Sequence, residues 1–472
     1  MPDREQVRSN AKYLRSVRPV DPAEIAGYVE GQPHPAVVTR ILREEAADLG
    51  LVERSDGTFA PVSEERFVPD FDGVTALPGR YDRALGDVLA DSDGPSWHAG
   101  ESGDRIRETI RRLKEEYYRQ QSVEYDADAA HAYAAYHLAD YYAAVQYVLH
   151  ELGRDGLLGH DLRVLDVGAG VGGPALGLHD YLAGGQCCEG EHHALVDYHA
   201  VEPAAGADVL DALLGETGRN FHPTIHRATA ESFDPDGEFD LMLFASVLSE
   251  LDDPADVVTC YLDHLAEDGT AVLLSPADRN TSVGMRAVER ELVDEHGVAT
   301  VYAPTVRLWD GERPTDRGWS FARYPDIEVP AVQRRLAKGA TDPGAVTNTS
   351  VQVSYALLRV DGRERHDVTL SRDRAAPMAE SEEVVGERIT LVAAKLSDDL
   401  AEDGHPLFKI SDGSEAVDHY AVLARESVLN EALASASYGA LLRIEGGLVL
   451  WNDDEEAYNV VVDEETVVDR AG

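Results

Sequence analysis

Lysine is nearly missing from this chain of 472 residues: only Lys12, Lys114, Lys338, Lys395 and Lys409 are present. Cysteine is rarer, with three; Cys187 and Cys188 are adjacent and Cys260 stands alone, which excludes a disulfide framework. Aromatic residues are sparse at 7%, while apolar residues at 43% suffice for real cores. No apolar run reaches the roughly eighteen residues that a transmembrane helix needs. The opening stretch, MPDREQVRSNAKYLRSVRP, lacks the apolar segment of a secretory signal. These absences point to a cytoplasmic protein with no membrane partner.

Acidity dominates what is present. Forty-two Lys and Arg stand against 88 Asp and Glu, a formal net charge of −46. Such a charge repels itself in dilute solution, but at molar salt the screening length falls to about 3 Å. An acidic chain with lysine nearly eliminated resembles the proteins of salt-accumulating halophiles, so the charge reports the solvent rather than the partner. RNA binding would then need local arginine clusters. The loop CCEGEHH, Cys187 to His193, gathers thiols, carboxylates and imidazoles that could meet zinc. Neighbouring side chains usually point different ways, however, and no metal is expected.

Length and composition divide the chain into several units. Residues 1–68 read as two helices and a hairpin: DPAEIAGYVEG, AVVTRILREEAADLG ending at Gly50, and LVERSDGTFAPV turning at Asp56-Gly57. This order resembles a winged helix, which would put Thr39, Arg40 and Arg43 against nucleic acid; a protein-docking or merely packed module fits as well. Residues 69–102, rich in Asp, Gly, Pro and Ser, read as a linker. A helical cap follows over 103–155. Its first helix concentrates Arg105, Arg107, Arg111, Arg112, Lys114 and Arg119, which suits phosphate or an ordinary solvated face. Its second, AAHAYAAYHLADYYAAVQYVLHEL, carries aromatics at helical spacing and reads as packing.

Residues 156–360 alternate β-rich runs with helical stretches. The strands are RVLDVGA, DYHAVEP, TIHRATA, FDLMLFAS, TAVLLSP, VATVYAP and VQVSYALLRV. This alternation implies an α/β, mostly parallel, doubly wound sheet of the class I, Rossmann-like methyltransferase type, whose last strand inserts antiparallel. Residues 361–387 read as a second linker. Residues 388–472 offer many short strands and one helix, an OB-like barrel. Phe408, Tyr420, Trp451 and Tyr458 are available there for stacking on single-stranded nucleic acid; an inert or protein-binding barrel fits equally.

The stretch RVLDVGAGVGGPAL, Arg163 to Leu176, runs a strand into Asp166 and then into Gly168, Gly170 and Gly172. Glycines let the chain turn sharply and let a ligand lie against backbone. Pro174 fits the first turn of the next helix. Asp166 stands where class I methyltransferases anchor the amino-acid part of S-adenosylmethionine. Glu202 ends the second strand, where a carboxylate accepts ribose hydroxyls. Glu231, in ATAESF, stands where such folds hold the adenine amine, and Ser246 follows the fourth strand at the expected substrate mouth. Their joint placement favours S-adenosylmethionine over a nicotinamide cofactor.

No catalytic residue follows. The Asn-Pro-Pro-Tyr type of motif for exocyclic amines is replaced by FASVLSEL, and Cys187, Cys188 and Cys260 are not placed for attack on a base. Ser246 or Glu250 could serve as base or orienter, yet a helix N-terminal Glu explains Glu250 as simply.

From Tyr133 to Val360, the elements AYHLADYYAAVQYVLHEL, VLDVGAGVG, FDLMLFASVLSEL, VYAP, GWSFAR, RRLAKG and VSYALLRV occur in an order and spacing that resemble a ribosomal family. It is the methyltransferase-like assembly factor of the small ribosomal subunit, found in mitochondria, bacteria and archaea. The resemblance implies S-adenosylmethionine binding and association with small-subunit rRNA. Many members carry cysteines that ligate an iron–sulfur cluster; the matching positions here are Thr305 and Ser320, so no cluster is expected. Trp319, Phe321, Arg323, Arg334, Arg335 and Lys338 keep an RNA-facing or a packing role. The sequence thus leaves three functions: an rRNA methyltransferase, a non-catalytic assembly factor on the same fold, or a small-molecule methyltransferase.

Overall fold

The computed structural model describes residues 4–68, 70–121, 126–184 and 194–471. The chain divides into two compact units, one of residues up to Met242 with Pro325–Val351, the other of Leu243–Tyr324 with the remainder from Gln352.

At the N-terminus, helices Arg4–Leu14, Pro22–Tyr28, Pro35–Glu44 and Ala46–Leu49 precede a hairpin of β1 (Leu51–Glu53) and β2 (Phe59–Pro61). Asp21 caps the second helix by accepting from the Ala23 N–H, with Pro22 in its first turn. Gly50 ends the last helix in the left-handed conformation at φ 56°. The hairpin turn is held by Asp56, whose carboxylate accepts from the Thr58 N–H at 2.9 Å. Val7, Ile25, Val38, Ile41, Leu49 and Phe59 form a small core.

The residues proposed to face nucleic acid are otherwise engaged. Thr39 Oγ1 donates to the Pro35 carbonyl, and Arg40 lies 3.6 Å from Glu44. Arg43 grips the buried Glu53 with two bonds, at 2.5 and 2.7 Å, and Arg219 adds a third at 2.7 Å. Asn220 completes the joint by accepting from the Glu53 N–H at 2.7 Å and donating to its carbonyl at 3.1 Å.

The span 69–102, read as linker, contains a 15-residue helix, Gly79–Asp93, that buries Tyr81, Leu85 and Leu89. Those three recur every four residues, the stripe of an amphipathic helix. Helix Gly100–Tyr118 follows, then the 28-residue helix Ala127–Arg154.

Eight strands make the central sheet: β3 (Asp161–Val167), β4 (Leu195–Val201), β5 (Phe221–His226), β6 (Phe239–Ala245), β7 (Leu265–Pro276), β8 (Thr300–Ala303), β9 (Ala322–Tyr324) and β10 (Val351–Arg359). Their order is β5-β4-β3-β6-β7-β10-β8, with β9 beside β10. β3, β4 and β5 pair in parallel, whereas β10 is antiparallel to both β7 and β8. This is the Rossmann-like methyltransferase sheet read from the alternation, including its inserted antiparallel strand. The three-residue β9 has no counterpart among the expected strands.

The C-terminal strands are β11 (Arg388–Lys395), β12 (Leu407–Ser411), β13 (His419–Leu423), β14 (Leu441–Asn452), β15 (Ala457–Val462) and β16 (Val467–Arg470). They run β11-β12-β13-β15-β14, and β14 pairs back on β11, so five strands close into a barrel with β16 flanking β14. Closure removes the free edges that invite aggregation. Leu391, Phe408, Ile410, Leu442, Ile444 and Val460 fill the interior. Phe408 is therefore core rather than a stacking platform. Trp451 and Tyr458 remain at the surface as an edge-on pair 4.8 Å apart.

Candidate functional site

β3 is buried through its second half and delivers Asp166 with no solvent exposure. On the adjacent strand, Tyr198 donates its hydroxyl to Asp166 Oδ2 at 2.6 Å. The other oxygen, Oδ1, is buried with no hydrogen-bond partner among the described residues. Burial pushes the Asp166 carboxyl up to about 7, with the tyrosine bond pulling modestly the other way.

Beyond Asp166 the chain passes through three left-handed glycines, Gly168 at φ 70°, Gly170 at 56° and Gly172 at 94°. L-residues with a side chain adopt this region at a cost of about 1–2 kcal/mol each. At Gly172 a Cβ would also stand 2.7 Å from Leu210 Cδ1, which would have to shift. The turn is stitched to the end of β4, where the Gly168 N–H donates to the Val201 carbonyl at 2.9 Å. Gly170 N–H donates to Glu202 Oε2 at 2.8 Å, and a Cβ on Gly206 would make the Glu202 carboxylate shift. Helix Gly173–Ala183 begins at once and packs tightly on helix Ala127–Arg154. A Cβ on Gly177 would fall 2.4 Å from Val145 Cγ1 and 2.5 Å from the Tyr142 carbonyl. The long aromatic helix thus packs as expected along this stretch.

Asp166, Gly168, Gly170, Gly172 and Glu202 therefore form one constellation at the carboxyl ends of β3 and β4. Glu231 lies in the turn after β5 with its side chain exposed. Ser246 belongs to the second unit. It is half-buried at φ 64°, unusual for a residue with a side chain, and its N–H donates to the Leu274 carbonyl at 2.7 Å. Non-glycine residues held in the left-handed region cluster at functional sites. Tyr198 lies two residues before Ala200, the β4 partner of Asp166, and so on the same face of the sheet, a relation that the alternation along β4 makes readable.

The basic residues considered for phosphate are paired internally. Arg105 bonds Asp93, Arg111 bonds Glu108, Arg112 lies 3.5 Å from Glu116, and Arg119 lies 3.4 Å from Glu115. Arg107 is buried and donates to the carbonyls of His98 and Leu336, both at 3.1 Å. Lys114 donates to the Tyr136 hydroxyl at 3.0 Å, and Arg334 to the Val329 carbonyl. In the second unit, Thr305 donates to Glu289 at 2.6 Å and Ser320 accepts from Arg286 at 3.1 Å. The positions matched to cluster ligands are thus members of a buried arginine–glutamate network. Trp319 donates to the Ala277 carbonyl at 3.1 Å and Phe321 is buried. Cys260 is exposed on helix Pro254–Leu262. The loop from Cys187 to His193 lies outside the described residues. No described helix is long and apolar enough to cross a membrane.

Residues 132–323 match the family described as "Methyltransferase domain". The flanks match a domain of unknown function, DUF8157, with its N-terminal domain over 4–55 and its C-terminal domain over 379–471. No curated protein matches. Among solved structures, the sugar N-methyltransferase KedS8 from Streptoalloteichus sp is similar at 21% identity and TM-score 0.22, over 28% of this chain and 47% of that one. This chain thus spans about half the length of that relative. The mitomycin 7-O-methyltransferase MmcR is similar at 13% identity and TM-score 0.30, over 75% of this chain and 94% of that one. The plantazolicin methyltransferase BpumL, solved with SAH, is similar at 9% identity and TM-score 0.29, over 60% and 98%. Likenesses this slight assign neither site nor acceptor.

The cofactor of a methyltransferase domain is S-adenosylmethionine, and the residues present fit it. A buried carboxylate oxygen without a hydrogen-bond partner among the described residues suits an ammonium group, and the open backbone at Gly170 suits close approach. The acidic surroundings favour a cationic cofactor over a pyrophosphate.

Proposed function

We propose that the protein binds S-adenosylmethionine at the Asp166–Glu202 turn and transfers its methyl group to an acceptor. The observation that carries this reading is Asp166 itself. A carboxylate without solvent and with one oxygen unpartnered is costly to keep unless a ligand uses it. In this reading Asp166 holds the amino-acid end, the glycine backbone lies along the cofactor, and Glu202 accepts from the ribose. Glu231, exposed in the turn after β5, is the candidate for its adenine end. The bound group would supply an activated methyl; the chain supplies orientation and exclusion of water.

The acceptor admits two readings. Small-subunit rRNA, bound with or without methyl transfer, is supported by the ordered series of motifs from Tyr133 to Val360. A small organic acceptor is supported by the ion pairs that occupy the arginines otherwise suited to phosphate, and we favour it.

Calorimetry with S-adenosylmethionine at molar salt tests the cofactor site: binding by the native chain, lost in Asp166→Ala and weakened in Glu202→Gln, supports it. Absence of binding by the native chain sinks it. Labelled cofactor with purified small subunits, against a low-molecular-weight fraction, separates the acceptors by where the label goes.

A further inference from the structure

The helix Ala127–Arg154 carries more than packing residues. Tyr133, His137 and Tyr141 recur every four positions and form one stripe. The Tyr133 and His137 rings lie 4.8 Å apart, and the His137 and Tyr141 rings 5.6 Å apart. The stripe ends at the glycine turn: a Cβ on Gly173 would meet Tyr141 Cβ at 2.8 Å and the Leu138 carbonyl at 3.1 Å. His137 is thus the imidazole next to the residues against which the cofactor turn is packed.

His137 is also oriented. Its Nδ1 lies 3.0 Å from Asp140 Oδ2, and the same oxygen accepts from Asn348 Nδ2 at 2.7 Å. Asn348 is itself fixed, its N–H donating to Gln333 Oε1 at 2.8 Å, while Gln333 donates to the Tyr136 carbonyl at 3.0 Å. Asp140 Oδ1 is buried with no hydrogen-bond partner among the described residues. A carboxylate on Nδ1 favours the tautomer with the proton there, leaving Nε2 as an acceptor. His137 keeps 30% of its side chain exposed, against 15% for Asp140, so the ring is the reachable member of the pair. Besides Asp140 and Asn348, the groups around the ring are Tyr133, Tyr136 and Tyr141, with Lys114 over the Tyr136 ring at 4.7 Å.

We propose that His137 is the general base of methyl transfer, with Asp140 and Asn348 as positioning residues and the tyrosine stripe as one wall of the acceptor site. The proposal rests on the turn being the S-adenosylmethionine site. In the step, the acceptor's O–H or N–H proton passes to His137 Nε2 as its lone pair bonds the methyl carbon. The C–S bond breaks with its electron pair remaining on sulfur, which leaves as a neutral thioether. An oriented imidazole of this kind typically contributes about 10²–10⁴-fold to such a step. The aromatic wall suits a flat, phenol- or heteroaryl-type acceptor.

The test uses the full chain at molar salt, with S-adenosylhomocysteine as the probe. Calorimetry first establishes whether the probe binds; if it does not, the cofactor reading falls and takes this proposal with it. Given binding, diethyl pyrocarbonate labelling is followed by peptide mapping. With the probe bound, His137 Nε2 must stay open to an acceptor, so it should still be modified, as the exposed His405 is. Long-range ¹H–¹⁵N spectra should show His137 with its proton on Nδ1, and Asp140→Asn should convert it to mixed tautomers. His137→Gln should keep its affinity for the probe, which shows that the site still folds. Loss of His137 modification on probe binding alone, or a proton resting on Nε2, overturns the assignment.

Discussion

Tyr198 donates its hydroxyl to Asp166 at 2.6 Å, and neither side chain reaches solvent. One strand thereby holds the carboxylate of its neighbour, and burial raises that carboxyl from 3.8 to about 7. A folded value above the unfolded one means that the native state keeps a proton which the unfolded chain releases. Stability therefore falls as pH rises between those two values, by at most about 1.4 kcal/mol per unit from this group. Asp166→Asn should remove that slope and lose cofactor affinity. Urea midpoints at pH 5 and pH 7.5 for both proteins decide it; an identical slope in the variant rejects the role of this proton.

Lys409 is a second buried centre. Its ammonium lies 2.6 Å from Asp316 and 2.5 Å from Asp418, and Arg290 also bonds Asp316. The two carboxylates hold the lysine well above its usual range despite burial. Lys409→Met should cost about 3–5 kcal/mol, because it strands buried negative charge. Adding Asp316→Asn should recover part of the loss. Denaturant curves measure both, and a near-neutral single variant would contradict the burial of this pair.

Ser246 occupies the left-handed region at φ 64°. Ser246→Gly should stabilise the fold by about 0.5–1 kcal/mol, the relief of the Cβ clash less the added chain entropy of glycine. Ser246→Val should destabilise it. A glycine variant less stable than the parent would mean that the serine side chain outweighs the strain.

With a net charge of −46, the melting temperature should climb between 0.1 and 1 M potassium chloride as the screening length shrinks from about 10 to 3 Å. Calorimetry that finds a flat or falling melting temperature removes the halophile interpretation of the composition.

The sheet was readable because parallel strands alternate with helices, and each buried strand announces itself as an apolar run. The turn was readable because three glycines, Asp166 and Glu202 must recur at fixed offsets to make it. Contacts between distant segments leave no such trace. Glu53 and Arg219 are 166 residues apart, so nothing near Glu53 reveals that a second arginine meets it. Helix Gly79–Asp93 was missed because Asp, Gly and Ser around it outweighed the stripe of Tyr81, Leu85 and Leu89. The His137–Asp140 pair was visible at i and i+3, but only Asn348, from far along the chain, distinguishes it from helix decoration.

The joint at Glu53 bears on how this chain can be divided. Residues 4–55 match as a domain of their own, yet Glu53 is neutralised by Arg219 and framed by Asn220 at the head of edge strand β5. Val52, Ala60 and Ala46 pack in one cluster with Leu195 of β4. A chain begun after the hairpin would leave Leu195 uncovered and the outermost strand without its end-stop. The N-terminal piece is therefore built against the edge of the sheet rather than appended to it.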